Sequence, residues 1–446
     1  MGRAVNLRAL PITAALLACT LAGCSTQYAD PVRAAGVAGG AGGVAGGAGG
    51  TGGGAGGTGG DAEGGAGGDA GSGTDPCSRW GTETECVKDT ANDCSVQPNE
   101  VGCLLDDASC VAWTCATGDP FVSRSGPDLF LKGRPFRFVG ANAWGVAGRN
   151  GNCQYSGFPS QQEALPQVFG ALAEMRVQVL RVWAFQSFCG ASGTDYSALD
   201  LVVRYARSAG VRLIFVLENM HDDCSQGKRD DSWFQAGYPE PYGNYALSFP
   251  DYTRGVVTHF RDEPTVLAWE IMHEAGGNDP AAMLDFATKM TALVRSNDMN
   301  HLIILGTDNG SSPATQIDGS PSPFTTLQAL DTVDLVDTHD FSAENSAMPA
   351  AEQASCAVAQ SLHKPCFVGA SAVSLIDTSA SSFSVRASQA SNKAQAALDA
   401  GFAGYLVYAF TPGWQTVGFD FDARATEPLA GPGGTLATFA AQLRDP

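Results

Sequence analysis

The sequence predicts a (β/α)8 TIM barrel over residues 119–446, preceded by a small cysteine-rich module and a disordered glycine-rich linker. Short β-branched or aromatic runs alternate with helical patterns there, and eight such runs can be counted, which is the number a TIM barrel needs. A doubly wound open sheet is the alternative. No G-x-G-x-x-G turn follows the first run, which weakens the nucleotide-binding version of that alternative.

The strand runs are short and rich in β-branched or aromatic residues: 136–143, 178–185, 211–219, 266–275, 301–308, 333–342, 365–372 and 404–412. Helical patterns lie between them, for example at 164–176, 195–210, 280–296 and 384–401. Two of these end at a glycine, which often stops a helix. The segment FLKGRPFRF (130–138) predicts a hairpin that enters the first strand and plugs the base of the barrel.

Residues 1–24 are typical of a targeting segment. Arg3 and Arg8 precede an apolar run that is too short to span a bilayer. The run ends in Leu-Ala-Gly-Cys24, which is similar to a bacterial lipobox; that resemblance implies lipidation of Cys24. An ordinary signal peptide with an incidental cysteine is the alternative. We therefore expect an exported lipoprotein, at the cell surface or outer membrane, that meets the membrane only through its lipid.

Two further segments separate this signal from the barrel. Residues 25–76 are rich in glycine and alanine, lack apolar periodicity and predict a disordered tether. Residues 77–118 predict a disulfide-rich module, because six cysteines fall close together: Cys77, Cys86, Cys94, Cys103, Cys110 and Cys115. A zinc site is the rival, but the segment has no C-x2-C pair and no histidine.

The charge balance limits the partners. The chain has 46 acidic and 26 basic residues, a formal net charge of −20. Such a chain repels phosphate backbones and anionic lipid headgroups, so nucleic acid is not expected as a partner. The acidity is otherwise typical of a soluble surface.

The working residues of a TIM barrel lie at the carboxyl ends of its strands. The predicted strand ends combine an acidic side chain, an arginine, two histidines and several aromatic side chains: Trp144, Arg181, His273, Glu274, His339, Tyr408 and Trp414. Aromatic faces stack on sugar rings and polar groups bind their hydroxyls, so this set predicts a neutral, hydroxylated ligand.

From about residue 129 to 440 the chain resembles glycoside hydrolase family 5, and within it the endo-β-1,4-mannanases. FRDEPTVLAWEIMHEA is similar to the segment that ends in the family motif W-E-L-x-N-E-P. The resemblance implies that Glu274 is the acid/base residue and that His273 replaces the family's asparagine. VLRVWAF is similar to the second strand, which implies that Arg181 is the active-site arginine.

Three later motifs depart from the family pattern. VDLVDTHDFS resembles the sixth strand, with His339 at the family histidine and Phe341 at its tyrosine. KPCFVGASAV resembles the seventh strand, K-P-V-x-x-G-E-F-G, which implies that Ala370 occupies the nucleophile position. GYLVYAF resembles the eighth strand, with Tyr408 in place of tryptophan.

A retaining glycosidase needs two carboxyl groups about 5–5.5 Å apart, and the methyl group of Ala370 cannot act as the second. Neighbouring strand ends and loops offer Glu218, Asp340 and Glu344 as substitutes, and the sequence favours none of them. The substrate-binding residues implied are Arg181, His273, His339, Trp144, Tyr408 and Trp414. Each also has a structural interpretation, as an ion-pair partner, a backbone hydrogen-bond partner or a packing residue.

No cofactor is predicted. His273, Glu274 and His339 offer metal-binding atoms, but their spacing matches no metal motif, so no metal is expected. Within the barrel, Cys356 and Cys366 are expected to form a disulfide, and two of Cys153, Cys189 and Cys224 are expected to pair across rim loops.

Three functions remain open at this stage. The first is a family 5-like glycoside hydrolase acting on β-1,4-linked polysaccharide, mannan-like by resemblance, with Glu274 as acid/base and an unidentified nucleophile. The second is a non-catalytic carbohydrate-binding protein on the same scaffold. The third is a structural surface protein, which the retained arginine, histidine and aromatic residues disfavour. The expected partner is a polysaccharide or oligosaccharide.

Overall fold

The structure is a computed structural model that describes residues 94–96, 113–115, 120–148, 153, 160–222, 224–225, 227–319, 321–342, 348–374, 382–411, 420–422, 429–430 and 433–444. The chain divides into two units, Met1–Ala70 and Gly71–Pro446, and every described residue belongs to the second. The signal segment, the predicted lipidation site Cys24, the glycine-rich linker and most of the cysteine-rich module lie outside the described residues.

Two short antiparallel sheets precede the barrel strands. In the cysteine-rich segment, β1 (Cys94–Val96) pairs with β2 (Trp113–Cys115). Next, β3 (Val122–Ser125), β4 (Asp128–Leu131) and β5 (Arg134–Phe136) form a three-stranded sheet. This second sheet contains the predicted hairpin and extends it by one strand.

Eight parallel strands form the barrel, in an order that follows the chain. They are β6 (Phe138–Asn142), β7 (Val179–Trp183), β8 (Arg212–Val216), β9 (Val266–Glu270), β10 (Leu302–Ile304), β11 (Val336–Asp340), β12 (Cys366–Ser371) and β13 (Gly404–Val407). A parallel bridge between Ile304 and Leu335 closes the sheet between β10 and β11. The predicted barrel is therefore confirmed, and the alternative of an open doubly wound sheet is wrong.

One helix follows each barrel strand: α1 (Gln161–Met175), α2 (Ser197–Ser208), α3 (Phe249–Phe260), α4 (Pro280–Asn297), α5 (Pro323–Gln328), α6 (Ala350–Ser361), α7 (Phe383–Asp399) and α8 (Thr435–Arg444). A 3-10 turn at Gln186–Phe188 and a π-helical turn at Trp233–Gly237 lie in rim loops. The predicted glycine stops are present, since Gly210 and Gly401 have φ of 67° and 86° just beyond α2 and α7. No helix in the described part of the chain is long and apolar enough to cross a membrane.

The base of the barrel is closed by apolar side chains. Val122 and Leu129 of the three-stranded sheet pack against inward residues of the barrel, among them Phe138, Ile214 and Phe367. This is the base plug that the sequence predicts. Gly140 lies one layer above, where a Cβ atom would meet the Val179 carbonyl oxygen at 1.7 Å, so the strands there tolerate no side chain. Above this layer the barrel interior contains buried polar side chains, among them Asn142, Arg181 and Glu270.

Candidate functional site

Glu274 lies four residues beyond the end of β9, at the carboxyl end of the barrel. Its backbone is held by flanking hydrogen bonds, from His273 N to the Glu218 carbonyl and from Ala275 N to the Gly306 carbonyl. Glu274 has φ of 55°, in the left-handed region that non-glycine residues rarely adopt. Such conformations concentrate at functional sites, and here the turn leaves the Glu274 side chain 26% exposed at the barrel mouth.

Two imidazoles bind the Glu274 carboxylate. Oε1 lies 2.8 Å from His339 Nδ1, and Oε2 lies 2.8 Å from His221 Nε2. Burial alone would raise the pKa of Glu274. The hydrogen bonds from His221 and His339, together with the positive charge of His339, outweigh burial and hold this pKa well below its ordinary value. Glu274 is therefore a carboxylate at neutral pH, with both oxygens already engaged.

His339, on β11, lies between two carboxylates. Its Nδ1 faces Glu274, and its Nε2 lies 3.3 Å from Asp337 Oδ2, an ion-pair contact without good hydrogen-bond alignment. Burial lowers the pKa of His339, but its contacts with Asp337 and Glu274 prevail and raise the pKa to about 9. His339 therefore carries a positive charge at neutral pH and neutralises part of the surrounding negative charge.

Arg181, predicted to bind substrate, lies beneath the floor of the site with no solvent exposure. Its Nε donates to Glu270 Oε2 at 2.7 Å, its Nη2 also contacts Glu270 Oε1, and its Nη1 donates to Asn142 Oδ1 at 3.1 Å. The same Nη2 lies 2.9 Å from His273 Nδ1. Arg181 thus reaches the cleft only through His273, whose side chain keeps 10% exposure.

Aromatic side chains border the same opening. Phe341 is 40% exposed, one of two large apolar side chains with such exposure in the described part of the chain. Its ring meets that of Tyr408 edge-on at 5.9 Å and that of His339 at 6.3 Å. Trp144 is half-buried, with Nε1 3.5 Å from Asp420 Oδ1. Trp414, also predicted to bind substrate, lies outside the described residues.

Ala370 lies on β12 and is fully buried. In the parallel register it pairs with His339 of β11, so its methyl group is next to the polar cluster. Two of the proposed substitute nucleophiles are committed elsewhere: Glu218 pairs with Arg229 at 2.8 Å, and Asp340 pairs with Lys393 at 2.9 Å. The third, Glu344, lies outside the described residues.

Sequence reasoning missed three polar residues of this region. His221 lies five residues beyond the end of β8, and the candidate residues taken from the sequence ended before it. Asp337 lies two residues before His339 on the same strand, so strand alternation places both on one face. Asp308 ends the fifth strand run of the sequence; burial raises its pKa, and Thr315 and Ser312 hydrogen-bond to it.

The atoms that could bind a metal are close together, since one atom each of His273, Glu274 and His339 lies within 4.8 Å of the others. Their hydrogen bonds do not suit a metal. A guanidinium only donates, so Arg181 leaves the proton of His273 on Nε2, the atom that faces Glu274. His339 has a carboxylate at each nitrogen and is cationic. To bind a metal through Nε2, His273 would have to lose its only proton while Nδ1 accepts from Arg181, so this donor set fits a metal poorly.

Two disulfides stabilise the barrel. Cys153 pairs with Cys224 across rim loops, which confirms that two of the three rim cysteines are joined. Cys356 pairs with Cys366 between α6 and the start of β12, as predicted. The third rim cysteine, Cys189, is buried with its Sγ 3.6 Å from Tyr252 Oη.

Two proteins with similar sequences carry the name mannan endo-1,4-beta-mannosidase. Mannan endo-1,4-beta-mannosidase 2 of Oryza sativa is 30% identical over 228 residues, which cover 44% of this chain and 49% of that protein. Putative mannan endo-1,4-beta-mannosidase 4 of Arabidopsis thaliana is 25% identical over 270 residues, covering 52% and 65% respectively. The chain thus spans about half of the first relative's length and just under two thirds of the second's.

Solved structures agree on the fold. The endo-1,4-beta-mannanase from Rhizomucor miehei superposes with a TM-score of 0.57 at 20% identity, covering 72% of this chain and 99% of that one. The endo-beta-1,4-mannanase from Thermotoga petrophila gives a TM-score of 0.53 at 18% identity, covering 70% and 78%.

The family model of cellulase (glycosyl hydrolase family 5) matches residues 140–404, from β6 to the start of β13. That match spans more than half of the chain and contains six complete barrel strands, β7 to β12, with His221, Glu274, His339 and Ala370. The chain therefore belongs to glycoside hydrolase family 5.

Proposed function

We propose that this protein binds a β-1,4-linked polysaccharide without hydrolysing it. The names of its relatives suggest that the polysaccharide is mannan-like. The observation that carries the proposal is the state of Glu274. Both of its carboxylate oxygens accept hydrogen bonds from imidazoles, and its pKa lies well below the ordinary value. A glycosidase acid must instead hold a proton at working pH, which requires a raised pKa.

The second requirement of hydrolysis is a nucleophile or a base. By the family resemblance that position is Ala370, whose methyl group can neither attack carbon nor stabilise a cationic sugar. Phe341, which matches the family tyrosine, has no hydroxyl with which to hold such a nucleophile. The acid is thus ionised, and the position implied for the nucleophile carries a methyl group. Both changes support a binding role over a catalytic one.

The same region keeps what a sugar ligand needs. The exposed ring of Phe341, beside Tyr408, offers an apolar surface for a pyranose face. His273, Glu274 and His221 offer polar atoms within the same opening. Apolar rings with a few placed polar groups are typical of pockets for neutral polar ligands.

The test is a pair of assays on the purified full-length chain. We expect retarded migration in gels that contain mannan or glucomannan, and no reducing-sugar release from mannan, glucomannan, cellulose or xylan. Phe341→Ala should weaken retardation. Hydrolysis that Glu274→Ala abolishes would overturn the proposal, and so would normal migration in every gel.

Hydrolysis by an inverting route is the second candidate. It is favoured by Asp337, a buried carboxylate whose Oδ2 lies 3.3 Å from His339 Nε2 and which no sequence motif singled out. An inverting enzyme uses two carboxyls about 6.5–9.5 Å apart with a water between them. If the native chain releases reducing sugar and Asp337→Asn abolishes the release, this second candidate replaces the first. Ala370→Glu tests the retaining geometry directly, since a gain of hydrolysis would identify residue 370 as the missing nucleophile.

We further propose export and lipid anchoring through Cys24. The two disulfides of the barrel support export, because such bonds persist in oxidising compartments. Lipid at Cys24 would hold the binding domain at a membrane through residues 25–76, for which the sequence predicts a disordered tether. Metabolic labelling with a radioactive fatty acid should mark the native chain and leave Cys24→Ser unmarked.

A further inference from the structure

We propose that Arg181 is a positioning residue that fixes the tautomer of His273, so that His273 Nε2–H and the Glu274 carboxylate form a donor–acceptor pair for one hydroxyl group of the ligand. The tautomer part stands on the contacts alone. The ligand part rests on the proposed glycan binding.

The tautomer follows from the hydrogen bond to Arg181. Arg181 Nη2 lies 2.9 Å from His273 Nδ1. A guanidinium carries donors only, so Nδ1 must accept and must hold a lone pair. The single proton of a neutral imidazole is then on Nε2. Burial lowers the pKa of His273 well below its ordinary value, and this outweighs the raising effect of Glu274, so the ring is neutral at neutral pH.

Arg181 cannot turn away from this role. It is fully buried, it forms two contacts with Glu270, and it donates to Asn142 Oδ1. Its guanidinium also lies 5.0 Å from the centre of the Trp183 ring. The same tryptophan ring lies 5.0 Å from the His273 ring. These contacts fix both partners, so the orientation of His273 does not depend on a bound ligand.

The distance between donor and acceptor then selects the ligand group. His273 Nε2 lies 3.8 Å from Glu274 Oε2, too far for a direct hydrogen bond. One oxygen between them can accept from Nε2–H and donate to the carboxylate. A hydroxyl does both, an ether oxygen only accepts, and an ammonium group only donates. The pair therefore favours a free sugar hydroxyl over an O-methyl group or an amino group.

Nitrogen NMR of the ligand-free full-length chain tests the tautomer. We expect His273 to show a protonated Nε2 and an unprotonated Nδ1, assigned by the loss of its signals in His273→Gln. The double variant Arg181→Met/Glu270→Met removes both charges of the buried pair together, a change that proteins often tolerate. It should give a mixture of tautomers. A protonated Nδ1 in the wild-type chain would overturn the proposal even if that variant fails to fold.

Binding of β-1,4-linked mannohexaose, by calorimetry, tests the hydroxyl. We expect His273→Ala to weaken binding about tenfold, because the ligand hydroxyl between residue 273 and Glu274 loses its hydrogen-bond donor. His273→Gln, which keeps a donor, should restore part of the loss, and O-methylated mannohexaose should bind wild type about as weakly as mannohexaose binds His273→Ala. Equal affinity of wild type and His273→Ala would overturn the inference alone. If wild type binds no mannohexaose while the tautomer is as expected, the proposed function fails and the role of Arg181 in fixing the tautomer stands.

Discussion

At the scale of single residues, the state of Glu274 depends on how many imidazoles reach it. His221 is 44% exposed and comes from a loop, so its removal should leave the barrel intact. We expect His221→Ala to raise the pKa of Glu274, because one of the two hydrogen bonds to the carboxylate is lost. Carbon NMR of the Glu274 carboxyl group during an acid titration measures the change. An unaltered titration would mean that His221 does not bind Glu274 in solution.

His339 gives a second prediction, on stability. The pKa of His339 in the folded protein is about 9, above the ordinary value of 6.5. The stabilisation of the fold by protonated His339 is therefore fully present below about pH 6.5 and is lost as the pH rises through 9. The loss amounts to roughly 3 kcal/mol at most, from about 1.4 kcal/mol per pKa unit. Urea unfolding at the two ends of this range should show a fall in unfolding free energy for wild type. The fall should be smaller in His339→Gln, and equal falls in both proteins would contradict the assignment of the charge.

At the scale of elements, the Cys153–Cys224 disulfide joins the loop after β6 to the loop after β8. Cys224 lies three residues from His221, and Ser225 Oγ donates to the His221 carbonyl, so the bond restrains the loop that carries this imidazole. We expect Cys153→Ala/Cys224→Ala to weaken mannohexaose binding. It should also destabilise the fold by about 4 kcal/mol, because the bond closes a long stretch of chain.

The second disulfide provides a matched control. Cys356 on α6 and Cys366 at the start of β12 are ten residues apart, and Cys366 lies at the end of the barrel away from Glu274. Cys356→Ala/Cys366→Ala should cost about 3 kcal/mol of stability and leave affinity unchanged. If both double variants lose affinity alike, general destabilisation explains the result and the local role of Cys153–Cys224 is wrong.

At the scale of the whole molecule, the net charge of −20 sets a further expectation. A neutral polysaccharide has no charge to be repelled or attracted, so its binding should be insensitive to salt. We expect the same retardation in mannan gels at low and at high ionic strength. A strong salt dependence would indicate a charged ligand and would contradict the neutral hydroxylated ligand proposed here.

The fold was largely predictable from the sequence because its signals are local. Apolar runs of strand length alternate with helical patterns, and each of the eight runs contains one barrel strand. Glycines at 210 and 401 mark helix ends through their own backbone freedom. The family resemblance likewise rests on contiguous motifs, such as VLAWEIMHEA before Glu274.

The site was only partly predictable, since its contacts join residues far apart in the chain. His221 and His339 are 53 and 65 residues from Glu274, and barrel closure alone brings them to its two carboxylate oxygens. The sequence motif predicted that Arg181 contacts the ligand. In the structure Arg181 is fully buried and lies in the barrel layer beneath His273. The sequence by itself thus determined the barrel and the family. The tertiary structure decided the charge state of Glu274 and the orientation of His273, because both depend on distances between side chains that no local pattern encodes.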